Sequence, residues 1–165
     1  MLELNYTVKN KIWNNFLQQI DINNYISNIF DTVIKVLKYK ISKKKIIELS
    51  ITFTNDKEIQ KINKRFRNCD KATNVLSFPM YESEFLNVVQ FEDYLPIGDV
   101  ILSYDTILKE SLEQGKTFEN HLIHLVVHSI LHLFGFDHVG DVDAEEMEAL
   151  EVEILGVLGI ENPYV

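Results

Sequence analysis

Three histidines within eleven residues carry the clearest chemical signal in the sequence: His128, His132 and His138. Residues four apart lie one turn above each other on the same face of an α-helix, so His128 and His132 can direct imidazole nitrogens to one point. Gly135 can end that helix in a left-handed turn, after which the chain can double back and bring in His138. The spacing H-x3-H-x5-H therefore predicts a metal site with these three histidines as ligands.

The predicted ligand set is typical of one catalytic zinc ion per chain. Three neutral imidazoles leave a fourth position open, whereas structural zinc sites are usually closed by a fourth protein ligand. The single cysteine, Cys69, cannot build a thiolate-rich structural site. A zinc ion held in this way lowers the pKa of a bound water to about 7 and so supplies a nucleophile at neutral pH. That nucleophile could attack a peptide carbonyl or a phosphodiester, and the spacing alone leaves both reactions open.

One rival reading follows from the same skeleton, because H-x-x-x-H-x-x-G-x-x-H also occurs in the metzincin peptidases. Those enzymes use a glutamate directly after the first histidine as general base. Here that position is Ser129, and no carboxylate lies between Asn120 and Asp137. A neutral hydroxyl cannot take up a proton as a carboxylate does, so a metallopeptidase stays only as a distant alternative.

Length and composition indicate a single domain, residues 1–165, of an ordinary water-soluble protein. Hydrophobic residues make up 46% and charged residues 25% of the chain. No apolar run approaches the ~20 residues of a membrane span. The N-terminus lacks the regions of a signal peptide, and one cysteine fits a reducing compartment. We therefore expect a cytoplasmic, monomeric protein without a membrane partner.

The net charge of −9 is unevenly distributed. Residues 1–71 hold 14 of the 16 Lys and Arg but 7 of the 25 Asp and Glu, a net charge of +7. Residues 72–165 hold the other 2 basic and 18 acidic residues, a net charge of −16. This asymmetry is compatible with one basic face offered to a polyanion, but two solvated helices of opposite charge would give the same numbers.

Alternation of apolar and polar residues predicts four strands. They are residues 2–8, 47–53, 74–78 and 98–104. Because an inner strand tolerates proline poorly, Pro79 should end the third strand or place it at a sheet edge. Residues 81–96 mix acidic, amide and aromatic side chains and are interpreted as a loop or irregular hairpin.

Helical periodicity covers much of the remaining chain. The predicted helices are residues 24–37, a helix from Asn55 to Arg67, a short one between Asp105 and Gly115, the histidine helix 118–134, and one from Asp143 to Gly159. In the second, Ile59, Ile62 and Phe66 should face the core. Together the elements predict an α+β fold in which helices cover a small mixed four-stranded sheet and the histidine helix is central.

Beyond the histidine spacing, the sequence resembles a known family. Residues 128–138, HSILHLFGFDH, closely resemble the HGxLHLxGYDH signature of the YbeY family. Three further blocks follow the family in the same order, and the likeness runs from about residue 46 to the end. They are residues 63–79 (NKRFR and DKATNVLSFP), 98–103 (GDVILS), and the C-terminal helix and tail (EEMEALE and NPY). Departures are modest: Ser129 replaces a usual glycine, Ala72 a proline, and Cys69 a frequent lysine.

This resemblance implies a zinc-dependent, single-strand-specific endoribonuclease of bacteria. Such enzymes act in ribosomal RNA processing at the 16S 3′ end and in ribosome maturation and quality control. The implied partners are single-stranded ribosomal RNA and the small ribosomal subunit with its associated proteins or an assembly GTPase. A non-catalytic, zinc-stabilised ribosome assembly factor is the main alternative. Whether water or the RNA 2′-hydroxyl attacks stays open.

The resemblance also implies roles for individual residues. His128, His132 and His138 would be the zinc ligands, and Arg67 and His128 the catalytic residues. A guanidinium can grip a phosphate with two hydrogen bonds and stabilise the charge of the transition state. The basic residues of 35–71 would border the cleft and draw in the RNA backbone.

Four other polar residues have weaker assignments. His124 is expected to support a ligand or line the cleft, with simple packing as the alternative. Asp137 could orient an imidazole or cap the turn, and Asp99 and Ser77 are expected to line the cleft. His121 is assigned no role.

Overall fold

The computed structural model describes residues 1–82, 85–136 and 140–165. Within these ranges the strands are β1 (Leu2–Val8), β2 (Ile46–Thr54), β3 (Val75–Pro79) and β4 (Tyr94–Ser103). The helices are α1 (Asn14–Leu17), α2 (Ile22–Val36), α3 (Asp56–Arg67), α4 (Phe85–Val89), α5 (Tyr104–Glu113), α6 (Phe118–Leu133) and α7 (Asp141–Val157). A short 3-10 helix, Lys11–Trp13, precedes α1.

The four strands form one mixed sheet in the order β1-β2-β4-β3. Strands β1, β2 and β4 are parallel, and β3 runs antiparallel to β4. The predicted α+β fold with a small mixed sheet is therefore confirmed. Pro79 is the last residue of β3, an edge strand, where its missing N–H removes no inner ladder bond.

Helix α6 is the centre of the helical layer, since it contacts β3, β4, α2, α5 and α7. Its buried residues include Leu122, Val126 and Ile130, and they join the core with the apolar face of α2. The N-terminal segment is fixed to this core by Trp13, which is fully buried and whose indole N–H donates to the Thr54 carbonyl at 2.8 Å. Both predictions for α6, its extent and its central position, are confirmed.

Residues 81–96 are not the loop or hairpin that the sequence predicted. They contain α4, and β4 already begins at Tyr94. The ring of Phe85 stacks on Phe134 with centroids 4.1 Å apart. This apolar contact holds α4 in place, although the mixed composition of residues 81–96 does not indicate it. Pro96 is tolerated in an inner strand because the ladder to β2 shifts register next to its partner Glu48.

The prediction that Phe66 faces the core is wrong. Its side chain is 62% exposed, while Ile59 is fully buried on the same helix. The buried position in the last turns belongs to Asn63, whose amide donates to the Lys71 carbonyl at 2.9 Å and ties the following loop to α3. Ile62 is half-buried.

The starts of two predicted helices also differ. Helix α5 begins one residue before Asp105, whose carboxylate instead accepts the Asp56 amide at the start of α3, at 3.0 Å. Helix α7 begins at Asp141, so Asp143 lies inside its first turn rather than before it. In the described part of the chain, no helix is both long and apolar enough to cross a lipid bilayer.

Gly98 lets the end of α6 approach the sheet. Its φ of +140° is rarely adopted by residues with a side chain, and a Cβ there would lie 2.2 Å from the Phe78 carbonyl oxygen and 2.9 Å from the Leu133 side chain. The last turn of α6, which carries His132, therefore depends on the absence of a side chain in β4.

We predict that Gly98→Ala lowers the free energy of unfolding by about 3 kcal/mol, through backbone strain and the clash with β3. Urea unfolding would measure this. Gly156→Ala is the matched control, because no atom lies within 4 Å of the added Cβ in α7. The free energy of unfolding of that variant should rise by about 0.5–1 kcal/mol, as expected when alanine replaces glycine in a helix interior. Wild-type stability of Gly98→Ala would contradict the packing argument.

Candidate metal centre and cleft

The histidines of α6 form one stripe along a largely apolar helix. Thr117 begins the helix by accepting the Asn120 amide on its side-chain oxygen. The stripe consists of His121, His124, His128 and His132, at spacings of three and four residues. This periodicity places all four imidazoles on one face of the helix.

His128 and His132 converge as their spacing predicted. Their Nε2 atoms lie 3.0 Å apart, and their ring centroids 4.5 Å apart with the planes at 79°. The Nδ1–H of His128 donates to the Glu151 carboxylate, so its Nε2 carries the lone pair that faces His132. Two imidazoles oriented in this way, with a carboxylate behind one of them, fit a zinc ion as donors.

Glu151 is the buried anion behind the pair. It lies on α7, is fully buried, and accepts from the Nδ1 of His128, from the Nε2 of His124 at 3.3 Å and from the hydroxyl of Tyr164. Burial raises the pKa of Glu151, but these hydrogen bonds outweigh it and hold the pKa at about 2. Glu151 is therefore a carboxylate at neutral pH.

The histidine pair opens into a cleft of about 810 Å³. Arg67 lies across it at the end of α3, and its Nη2 donates to the carbonyl of Ser77 in β3 at 2.9 Å. The other lining residues are Asn74, Val75, Pro79, Tyr81, Glu82, His124, Leu125, Gly135, Phe136 and Tyr164. The fold thus brings Arg67, His128 and His132 to one cleft, although they are far apart in the sequence.

A second carboxylate, Glu110 of α5, supports the other wall of the cleft. Its Oε2 accepts from the Nε2 of buried His121 at 2.7 Å and from the Asn74 amide at 2.9 Å. Burial lowers the pKa of His121, which favours the neutral ring. His121 was assigned no role from the sequence, but it helps to hold a cleft-lining amide in place.

The weaker assignments made from the sequence have different outcomes. Ser77 lines the cleft and so does His124, which supports the same carboxylate as His128. Asp99 does not line the cleft, and its residue is exposed elsewhere on the sheet. Partial desolvation of its carboxyl group, and to a smaller extent the charge of Glu48, raise the pKa of Asp99. The prediction for Asp99 fails because alternate residues of β4 point to opposite faces of the sheet.

The third predicted ligand, His138, and its neighbour Asp137 lie outside the described residues. Within residues 1–82, 85–136 and 140–165, no group of three or more His, Cys, Asp or Glu side chains could hold a metal ion. The structure therefore supplies two converging donors, and the role of His138 stays a prediction.

Glu151 and Tyr164 were not singled out from the sequence. The signal for Glu151 is an acidic residue on the apolar stripe of α7, four residues after Met147 and three before Ile154, both of which are buried. A charge at such a position is rarely buried unless it is paired. No comparable local signal marks Tyr164, because the path of the tail determines its contact.

The predicted basic surface of residues 35–71 is not continuous along the cleft. Arg67 is its one member among the described lining residues. Lys45 precedes β2 and contacts the Glu92 carbonyl and the Asp93 carboxylate, whereas the cations of α3 follow the other end of that strand. The Lys45 ammonium is thus engaged by the α4–β4 connection and not by the cleft.

The fold and cleft define an α+β protein with a helix-borne histidine pair opposite an arginine. The family model described as Endoribonuclease YbeY matches residues 11–159. Endoribonuclease YbeY of Agrobacterium fabrum (strain C58 / ATCC 33970) is 48% identical over 121 residues, 72% of this chain and 68% of that protein. The chain therefore belongs to the endoribonuclease YbeY family, which places it among the nucleases, the hydrolases of phosphodiester bonds.

A solved structure supports the fold alone. The solution structure of TM1509 from Thermotoga maritima is similar, with a TM-score of 0.55 and 22% sequence identity. The match covers 96% of this chain and 91% of that one. The family model and the relative from Agrobacterium fabrum confirm, at the level of the family, the resemblance found from the sequence motifs.

We predict that Glu151→Gln destabilises the protein by about 2 kcal/mol, since an amide has one oxygen to offer and loses the charge-assisted bonds. Urea unfolding in the presence and absence of a chelator would measure it. Glu148→Gln is the control, because Glu148 is exposed on the same helix. It should change stability by less than about 0.5 kcal/mol. Equal effects of the two substitutions would contradict a special role for the buried carboxylate.

Proposed function

We propose that the protein is a zinc-dependent endoribonuclease that cleaves single-stranded ribosomal RNA in the cytoplasm, in 16S 3′-end processing and in ribosome maturation and quality control. The observation that carries the proposal is the pair of Nε2 atoms 3.0 Å apart in the cleft that Arg67 lines. Membership of the endoribonuclease YbeY family supports the RNA substrate. The small ribosomal subunit, with its associated proteins or an assembly GTPase, is the proposed partner.

His128 and His132 would hold the zinc ion, with His138 as the third ligand proposed from the sequence. When bound, zinc would either supply an activated water in its open position or polarise the scissile phosphate for attack by the RNA 2′-hydroxyl. Glu151 keeps the Nδ1 of His128 protonated and its ring fixed, which makes Nε2 the donor atom. His128 is thus both a ligand and a catalytic residue in this proposal.

Arg67 would bind the phosphate whose ester bond breaks. One of its five N–H donors is used by the Ser77 carbonyl, which fixes the guanidinium on the wall of the cleft. Among the remaining donors, two can grip phosphate oxygens side by side. Because negative charge grows on those oxygens in the transition state, a fixed cation there lowers the barrier.

The peptidase alternative finds no support in the cleft. Ser129, at the position where a peptidase carries its glutamate, is fully buried and donates its hydroxyl to the Leu125 carbonyl at 2.8 Å. Its side chain is therefore buried and hydrogen-bonded within α6, so this position supplies no general base to the cleft.

We predict that wild-type protein contains one equivalent of zinc and cleaves single-stranded RNA, and that His132→Ala loses both. Metal content by mass spectrometry and a cleavage assay on the same samples would test this. His128→Ala and His138→Ala should behave alike if all three are ligands. His121→Ala is the control, because the Nε2 of His121 bonds to Glu110 and not to Glu151, and it should retain its zinc.

Two outcomes would change the proposal. Zinc without any cleavage by the wild type would favour the non-catalytic assembly factor. A wild-type protein that binds no metal would refute the metal centre itself.

We predict that Arg67→Ala retains zinc but lowers the cleavage rate by roughly 10²–10³-fold, the cost of removing one donor to a transition-state oxyanion. Arg67→Lys should recover part of the rate, since an ammonium keeps the charge and loses the bidentate grip. Lys109→Ala is the charge-matched control, on α5 and with an exposed side chain. An unchanged rate for Arg67→Ala would remove this residue from the mechanism.

A further inference from the structure

An aromatic pair, one ring exposed and the other half-buried, lies beside Arg67. Phe66 of α3 is 62% exposed, and its ring packs edge-on against Phe78 of β3 with centroids 5.6 Å apart. The position is unusual, because the periodicity of α3 should place this large apolar side chain in the core. The buried residue in this part of α3 is instead Asn63, whose amide donates to the Lys71 carbonyl. The fold thus leaves an aromatic surface in water next to the cleft.

Two arginines border this pair. The guanidinium carbon of Arg65 lies 5.2 Å from the centroid of Phe66, and that of Arg67 lies 5.6 Å from the centroid of Phe78. Arg67 also donates to the carbonyl of Ser77, which lines the cleft, so one side chain links the cleft to the aromatic pair. Aromatic rings with adjoining guanidinium groups are the side chains on which unpaired nucleobases stack.

We propose that Phe66 and Phe78, with Arg65 beside them, form a stacking platform for an unpaired base that flanks the phosphate held by Arg67. This inference rests on the proposed RNA substrate and deepens it. A base in a duplex is already stacked and paired, and so cannot cover the rings. The platform would therefore select single-stranded RNA without reading its sequence, since every base has a π-face.

The charges around the platform indicate the path that a bound RNA strand would take. The ladder places Asp99 opposite Phe78, so the sheet side of the platform is acidic. The arginines stand on the α3 side. Phosphates would follow α3 from Arg67 towards Arg65, with the base turned inward onto the rings.

The test compares two fluorescein-labelled probes of equal length and charge, an oligoadenylate and the same backbone with abasic sugars. Binding to the full-length, zinc-loaded protein would be measured by fluorescence anisotropy, with probe integrity checked on gels. Wild type should prefer the base-bearing probe by roughly tenfold, as expected for about one stacked base. Phe66→Ala should reduce this preference to about onefold while its affinity for the abasic probe stays the same.

Two variants make the result specific. Phe66→Tyr keeps an aromatic face and should keep the preference. Phe91→Ala removes a ring that is 82% exposed on the α4–β4 connection and should have no effect. Because Phe66 is largely exposed, the variants should fold, which their thermal melts would check. Cleavage by Phe66→Ala should lose its discrimination between bases and abasic sugars at positions beside the cut.

The possible failures are distinguishable. Base-dependent binding by a protein that cleaves nothing would refute the proposed catalysis and leave the platform in place. A Phe66→Ala variant that keeps the wild-type preference, or a wild type that binds both probes equally or neither, would overturn the platform. Sedimentation showing that Phe66 instead holds two copies of the chain together would overturn it as well.

Discussion

The buried carboxylate of Glu151 is the interaction on which the histidine centre depends. Taking an unpaired carboxylate out of water costs several kcal/mol, so its position requires hydrogen-bond donors on every side. Those donors are His124 and His128 of α6 and Tyr164 of the C-terminal tail. One anion therefore joins α6, α7 and the tail, and the same bonds that satisfy it also determine which nitrogen of His128 faces the cleft.

Local patterns predicted the parts of the site that lie on one element. The spacing of His128 and His132 sufficed, because an α-helix places residues four apart on one face whatever surrounds it. Helical periodicity likewise located α6, and alternation with a closing proline located the strand that ends at Pro79. The position of Arg67 came from the family resemblance, since only the sheet order β1-β2-β4-β3 brings the end of α3 to the histidines.

Two of the failures, those at Phe66 and at residues 81–96, have a common cause: contacts with residues outside the element overrode the local pattern. Phe66 follows the apolar period of α3, but Asn63 is the buried residue, and its amide bonds to the Lys71 carbonyl in the loop after the helix. Residues 81–96 lack any periodicity, yet stacking of Phe85 on Phe134 anchors a helix there. In both places the contact that determines the structure is made with a residue outside the helix, which a local sequence pattern does not show.

The polar stripe of α6 is divided between two carboxylates, and this division separates two tasks. Glu110 holds His121 together with Asn74, which lines the wall formed with β3. Glu151 holds His124 and His128 on the opposite flank, facing α7. Glu110 of α5 thus fixes the cleft wall that would contact the substrate. Glu151 of α7 fixes the histidine that would hold the metal. Helix α6 lies between the two carboxylates and keeps their relative positions constant. Neither α5 nor α7 can shift along α6 without breaking hydrogen bonds to the buried His121 imidazole or to the buried Glu151 carboxylate.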